Sequence, residues 1–215
     1  MTPGQLRYRD WSNSLLSDDS IKQEIFAESP IMHPTFFLQT KYYSKLNGYR
    51  ERPWPEDYDF LLRAYLQNAV FAKLPEVLLR KRDHPARVAR TDDRCKRKAM
   101  FRAKAFYLKQ LPVLREAKGL WIMGAGSSGR QMAAALCREG IAFDGFLHHR
   151  ETEEGKRCMG VPICGLSHRN AGAFLSQNRN AFFLVAVGEP NGRAALEKIL
   201  ANSELRPGIH YYHCI

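Results

Sequence analysis

The feature that most narrows the possible folds is a glycine-rich loop between a short apolar run and an amphipathic stretch. Leu120-Trp121-Ile122-Met123 reads as a buried strand. It runs into Gly124-Ala125-Gly126-Ser127-Ser128-Gly129, a full G-x-G-x-x-G, and the loop opens a helix predicted over residues 128–139. Each glycine has a physical task. The first permits a tight turn, the second lets a pyrophosphate approach the backbone, and the third lets helix and strand pack closely. The helix N-terminus is left able to bind an anion.

The same texture continues beyond the loop. Residues 141–147 predict a second strand, 181–187 a fully buried one, and 191–202 a closing helix. Strands alternating with helices imply a doubly wound parallel sheet, so residues 119–215 are expected to form a small Rossmann-like domain. A dinucleotide site wants an acidic residue at the end of the second strand, about 20 residues on. Here that strand ends Phe146-Leu147-His148-His149-Arg150, and Asp144 falls too early. Arg150 would suit a 2′-phosphate, but an arginine is common on any surface. NAD(P) use is therefore not expected. Adjacent His148 and His149 on a strand would point to opposite faces and could not share a metal.

The chain before the loop reads as mixed α/β with many breaks. Residues 17–26 predict a short helix capped by Ser17, and 31–40 an edge or broken strand interrupted by Pro34. Asn47-Gly48 marks a turn, and residues 55–68 a helix opened by Pro55 with Glu56 and Asp57 at its positive end. Residues 70–80 predict strand–turn–strand broken at Pro75, and 91–111 a basic amphipathic helix. The expected division is residues 1–112, a linker at 113–118, and 119–215.

Composition excludes several classes. With 45% hydrophobic residues in 215, the chain is globular rather than disordered. Its longest apolar run, residues 181–187, is far below the ~18 residues of a membrane span. The first residues lack a signal peptide's apolar core, so a cytoplasmic protein is expected. The five cysteines form no C-x-x-C pair, which points to reduced thiols. The formal charge of +11 is concentrated, with eleven basic residues between Arg80 and Lys104. Such a cluster attracts a nucleotide diphosphate, a lipid-linked pyrophosphate, an anionic membrane or nucleic acid, or simply keeps a helix face solvated. Its aromatics, Phe101, Phe106 and Tyr107, have the helical spacing of core residues, so nucleic acid is not the expected partner.

Trp54-Pro55-Glu56-Asp57-Tyr58-Asp59 places three carboxylates on the first turn of a helix. Capping explains them, at roughly 0.3–1 kcal/mol each. A general base at a pocket rim explains them equally in kind, with neighbouring acids raising its pKa.

The ordered set Ile31-Met32-His33-Pro34-Thr35, Leu46-Asn47-Gly48-Tyr49-Arg50, Pro55-Glu56-Asp57-Tyr58-Asp59-Phe60-Leu61-Leu62-Arg63, Leu74-Pro75-Glu76-Val77-Leu78-Leu79-Arg80 and Arg82-Asp83-His84 carries a resemblance. It resembles the acceptor-side half of a bacterial family-2, GT-A-type glycosyltransferase, over about residues 6–110. The resemblance implies inverting transfer from a nucleotide-sugar to a glycan or lipid-linked acceptor in cell-surface polysaccharide synthesis. It implies Asp57, beside Glu56, as the base. It places His84 near a divalent Mg or Mn ion with the diphosphate, and His33, Arg50 and Arg82 along the acceptor and diphosphate cleft. A peripheral contact with the inner face of an anionic membrane goes with it.

The strand with Gly124-Ala125-Gly126-Ser127-Ser128-Gly129-Arg130 is joined by residues 142–150, 160–166 and 182–193. Together they resemble the N-terminal Rossmann-like domain of bacterial sugar O-acyltransferases, which implies a nucleotide-binding role for Gly124, Gly126 and Gly129. The hexapeptide repeats of that family are absent. No D-x-D metal motif of the glycosyltransferase donor half stands in a suitable place, so a truncated chain, inactive alone, is expected. The alternative is a non-catalytic module that binds a nucleotide-sugar or dinucleotide at the glycine loop. In either case the fold class is α/β, a partial GT-A-like half followed by a small parallel-sheet domain.

Overall fold

The computed structural model describes residues 2–80, 82, 84, 86–167 and 169–215. Lys81 and Asp83, part of the basic stretch and of the Arg82-Asp83-His84 motif, lie outside them. The chain forms two compact units, Met1–Ala103 and Lys104–Ile215. The division falls inside a helix rather than at the stretch 113–118, which itself carries a short helix.

The first unit holds α1 (Pro3–Ser14), α2 (Asp18–Glu24), α3 (Thr40–Lys45), α4 (Glu56–Leu66), α5 (Val88–Thr91) and the start of α6 (Arg97–Leu108). Two of these helices, α1 and α2, begin where side chains satisfy their free N–H groups. Thr2 and Gln5 close a reciprocal capping box on α1, and Ser17 and Ser20 do so on α2. Ile21, Ile25, Phe26, Tyr58 and Leu62 are fully buried. Each such side chain contributes about 1.5–3 kcal/mol through burial. The Tyr58 hydroxyl donates to the Ile25 carbonyl at 2.8 Å, joining α4 to the end of α2.

Three expected elements differ. Residues 31–40 form no strand, because Pro34 sits in a 3₁₀ turn over His33–Thr35 closed by Thr35 N–H to Met32 C=O at 2.8 Å. Residues 70–80 also form none. Among the described residues they have no ladder partner; the start of the segment is held by Phe71 N–H on Asp18, Lys73 N–H on the Leu16 carbonyl and the Lys73 ammonium on the Ser12 and Pro30 carbonyls. The basic helix starts at Arg97 rather than 91, since Asp92 caps a tight turn over Asp93–Cys95 and accepts Arg94 N–H at 2.8 Å.

The second unit continues with α7 (Pro112–Glu116), β1 (Leu120–Met123), α8 (Ser127–Arg138), β2 (Gly145–His148), β3 (Arg157–Cys158) and β4 (Val161–Gly165). After these come α9 (Ala171–Gln177), β5 (Phe182–Val185), α10 (Pro190–Ala201) and β6 (Tyr211–His213). The sheet order is β3-β4-β2-β1-β5-β6, parallel throughout except for the antiparallel edge strand β3. This is the α/β, Rossmann-like arrangement expected from the alternating pattern. Met123 pairs with Leu147 and Val185, and that face packs on Leu175 of α9 and Leu196 and Ile199 of α10. Ile122, Phe146 and Leu184, on the other face, are buried completely. Apolar cover on both faces is why these strands read as unbroken hydrophobic runs.

Candidate functional site

The first candidate site is built at the head of α4. Pro55, extended at φ −59°, leads into a first turn bearing Glu56, Asp57 and Asp59. The structure uses the three acids differently. Asp59 is fully buried: it accepts Trp54 Nε1–H at 2.9 Å and Arg63 Nε–H at 2.8 Å. Arg63 then donates to the carbonyls of Leu46 and Gly48, the latter at 2.7 Å, tying the Asn47-Gly48 turn to the helix. A buried ion pair so compensated is structural. At Gly48, φ is +56° and a Cβ would lie 2.8 Å from the Tyr43 hydroxyl, so the turn needs glycine on two counts. Glu56 lies half in solvent, with Oε2 4.0 Å from Arg94, whose guanidinium is held mainly by Asp92 at 2.6 Å.

Asp57 is the partly open acid, beside His33. Its side chain is 25% exposed, and among the described residues Oδ1 accepts the adjacent Tyr58 N–H alone, at 2.8 Å. Oδ2 lies 4.0 Å from His33 Nδ1, and His33 Nε2 is 2.8 Å from the Tyr49 hydroxyl. The tight turn at Pro34 is what aims His33 at the helix start. Around this line stands an aromatic wall: His33 contacts Phe36 at 5.4 Å and Tyr49 at 5.1 Å, and Tyr49 contacts Tyr43 and Phe60. Burial raises the Tyr49 phenol above its ordinary value, with the charges of Tyr43, Asp57 and Glu56 adding to it. Burial raises the Cys95 thiol too, reinforced by Asp92, Asp57 and Glu56, which leaves it protonated and a poor nucleophile.

Of the residues named from sequence, His33, Glu56 and Asp57 come together. Arg50 follows Tyr49 and is half-buried, but the side chain that meets His33 is Tyr49, which the motif contains and residue-type reasoning passed over. Arg82 and His84 are exposed and, among the described residues, neither forms an ion pair with Glu56 or Asp57. Among those residues no group of three or more His, Cys, Asp or Glu side chains converges to hold a metal ion. The divalent metal implied by the resemblance thus has no cradle on these residues. None of the five cysteines forms a disulfide.

The second candidate site lies at the C-terminal edge of the sheet, beside the point where strand order reverses around β1. Gly124 has φ +115° and donates to the Leu147 carbonyl at 2.7 Å, and a Cβ there would meet Val187 at 2.6 Å. Gly126 is the N-cap of α8, and a Cβ on it would meet nothing within 4 Å. The start of α8 has no side-chain cap and no acid in its first turn.

Opposite the loop, His148 and His149 stack at 4.5 Å, against the alternation expected from the sequence. The strand ends at His148, so the next ring is free of the pleat. Burial holds the His149 imidazole below its usual value, helped by His148 and Arg150 and opposed by Glu189. Glu189 caps α10 through Asn191 N–H at 2.9 Å and Gly192 N–H at 2.6 Å, and these bonds lower its pKa. Asp144 is at the other end of the sheet, where it accepts Leu120 N–H at 2.7 Å. A concavity of about 440 Å³ bordered by Lys118, Arg179, Asn180 and His210 also opens at that far edge, away from the glycines.

No protein-family model matches the chain, and no curated protein matches it. Among solved structures, RSP, a Rex-family repressor, aligns at 12% identity and TM-score 0.35. The alignment covers 53% of this chain and 60% of that one, so the match spans less than two thirds of the repressor.

Proposed function

We propose that the first unit is the acceptor side of an inverting glycosyl transfer, with Asp57 as the base and the donor nucleotide-sugar held by residues other than these 215. The observation that carries this reading is the division of labour on the first turn of α4. Asp59 is consumed by Trp54 and Arg63, while Asp57, two residues earlier, stays partly open beside His33 and Tyr49. In the proposed reaction an acceptor hydroxyl gives its proton to the Asp57 carboxylate as its oxygen attacks the anomeric carbon. The bond to the diphosphate breaks, and the electron pair leaves with it. His33 and Tyr49 would orient the acceptor, and the aromatic wall would cover a sugar face. A glycan or lipid-linked saccharide fits such a wall. No helix among the described residues is long and apolar enough to cross a membrane, so contact with a lipid-linked acceptor would be made from the surface.

The test is transfer from UDP- and GDP-sugars to lipid-linked saccharides, with the chain combined with a family-2 donor half. Asp57→Asn is expected to abolish transfer while Arg50→Gln weakens acceptor use. Full activity of Asp57→Asn would remove Asp57 as the base, and robust turnover by the 215 residues alone would remove the separate donor side.

A second reading rests on a different observation. The three glycines of the loop meet three distinct demands, a left-handed turn, an open approach and a close crossing of backbone. That combination favours a nucleotide diphosphate, as a nucleotide-sugar or dinucleotide, at the start of α8. Calorimetry of the chain against UDP-sugars, NADH and NADPH separates these ligands, and Gly126→Ala should weaken whichever one binds there. Absence of heat with all three, or binding indifferent to Gly126→Ala, would discard this reading.

A further inference from the structure

The segment of residues 70–80 departs from the rest of the first unit. Val70, Leu74, Val77 and Leu78 are between 67% and 83% exposed, in a unit whose other apolar side chains are mostly covered. Scattered exposed apolar residues are ordinary, but a contiguous strip marks an interaction surface. The backbone is open as well. Among the described residues, no N–H or C=O of residues 76–80 takes part in a backbone hydrogen bond. The segment is nevertheless anchored at its start, by Phe71 N–H on Asp18 at 2.8 Å and Lys73 N–H on the Leu16 carbonyl at 3.0 Å.

Drawn out as a strand, residues 76–80 put Val77 and Leu79 on one face and Leu78, between Glu76 and Arg80, on the other, which Leu74 continues. One face is thus apolar and the other carries a leucine between charges, on a backbone whose N–H and C=O groups stand ready to pair with a neighbouring strand. A lipid surface would cover one face and leave the backbone groups without partners, which is costly. A second copy of the chain would bring like charge to like: Arg80 and Arg82 are exposed at the end of the strip, on a chain of formal charge +11. We infer that residues 76–80 form a docking strand completed by an extended segment of another polypeptide, apolar along its length and acidic at its flank. Backbone pairing supplies affinity, side-chain pockets on both faces supply register, and the arginines select the partner's charge. This inference stands independently of the acceptor-site reading.

The experiment is selection of random dodecapeptides displayed on phage against the full chain, followed by hydrogen exchange with each recovered peptide. Recovered sequences should be rich in β-branched residues with flanking Asp or Glu, and should protect the amides of residues 76–80. Val77→Asp with Leu79→Asp should cost at least tenfold in their affinity, and Arg80→Glu with Arg82→Glu should reverse the charge preference. Circular dichroism matching the parent shows that these exposed substitutions leave the fold intact. A selection yielding no binders, or binders that protect other amides, would overturn the inference. So would protection of residues 76–80 by phosphatidylglycerol vesicles but by no peptide, or by dimerisation of the chain alone.

Discussion

Gly129 passes so close to Gly124 that a Cβ on the former would lie 1.7 Å from the carbonyl oxygen of the latter. No side chain fits that gap, so the helix and the strand before it cross at the distance only two glycines permit. Gly129→Ala should therefore destabilise the second unit by about 3 kcal/mol or more, through overpacking against rigid backbone. Gly126→Ala, which meets open space, should leave the melting temperature unchanged. Paired thermal melts of the two variants check this, and equal losses would mean that the loop is not packed as described.

Asp59 should prove the most stability-critical acid of the chain. Asp59→Ala leaves Arg63 and the Trp54 indole N–H buried without their carboxylate, at a cost of about 3–5 kcal/mol. Urea unfolding followed by tryptophan fluorescence should show a lower midpoint and a loosened 47–48 turn.

Asp57→Asn should behave in the opposite way. Its carboxylate makes only a local bond and a distant approach to His33, so the fold should tolerate the change with a stability shift of under about 0.5 kcal/mol. In a transfer assay the same substitution should lower kcat by about 10²–10⁴. Loss of both fold and activity would show Asp57 to be structural.

Stability of the second unit should fall with pH in two windows. The folded state holds His149 below its ordinary value of 6.5, so the unfolded chain takes up that proton first. The contribution is fully present above pH 6.5 and is lost as pH falls through the folded value. Glu189, lowered from 4.5 by its bonds to Asn191 and Gly192, behaves likewise below pH 4.5. Urea midpoints measured from pH 8 down to pH 2 should show both windows, and His149→Gln should remove only the upper one.

How much of this could be read beforehand follows from where each signal is stored. The glycine loop, β1 and the start of α4 were legible because their cues are local: glycine spacing, an apolar run, a proline before acids. β4 was hidden by Pro162 within a mixed stretch, and β6 by its three-residue length at the end of the chain. Residues 70–80 carry a strand's composition yet form none here, because a strand is completed by a neighbour that composition cannot supply. At the site, His33 and Asp57 were named from sequence. Tyr49 was not, since the turn that brings it to His33 depends on Arg63 gripping the Leu46 and Gly48 carbonyls from another element.

Lys104 is 3% exposed and donates its ammonium to the Cys214 carbonyl at 2.9 Å, so the first residue of the second unit is pinned to its last strand's end. The joint between the halves therefore lies within α6, between Ala103 and Lys104, rather than at residues 113–118. A protease that opened the chain at residues 113–118 would release a sheet deprived of the cation at its tail. One acting before Arg97 would leave the sheet, its glycine loop and its closing helix in a single piece.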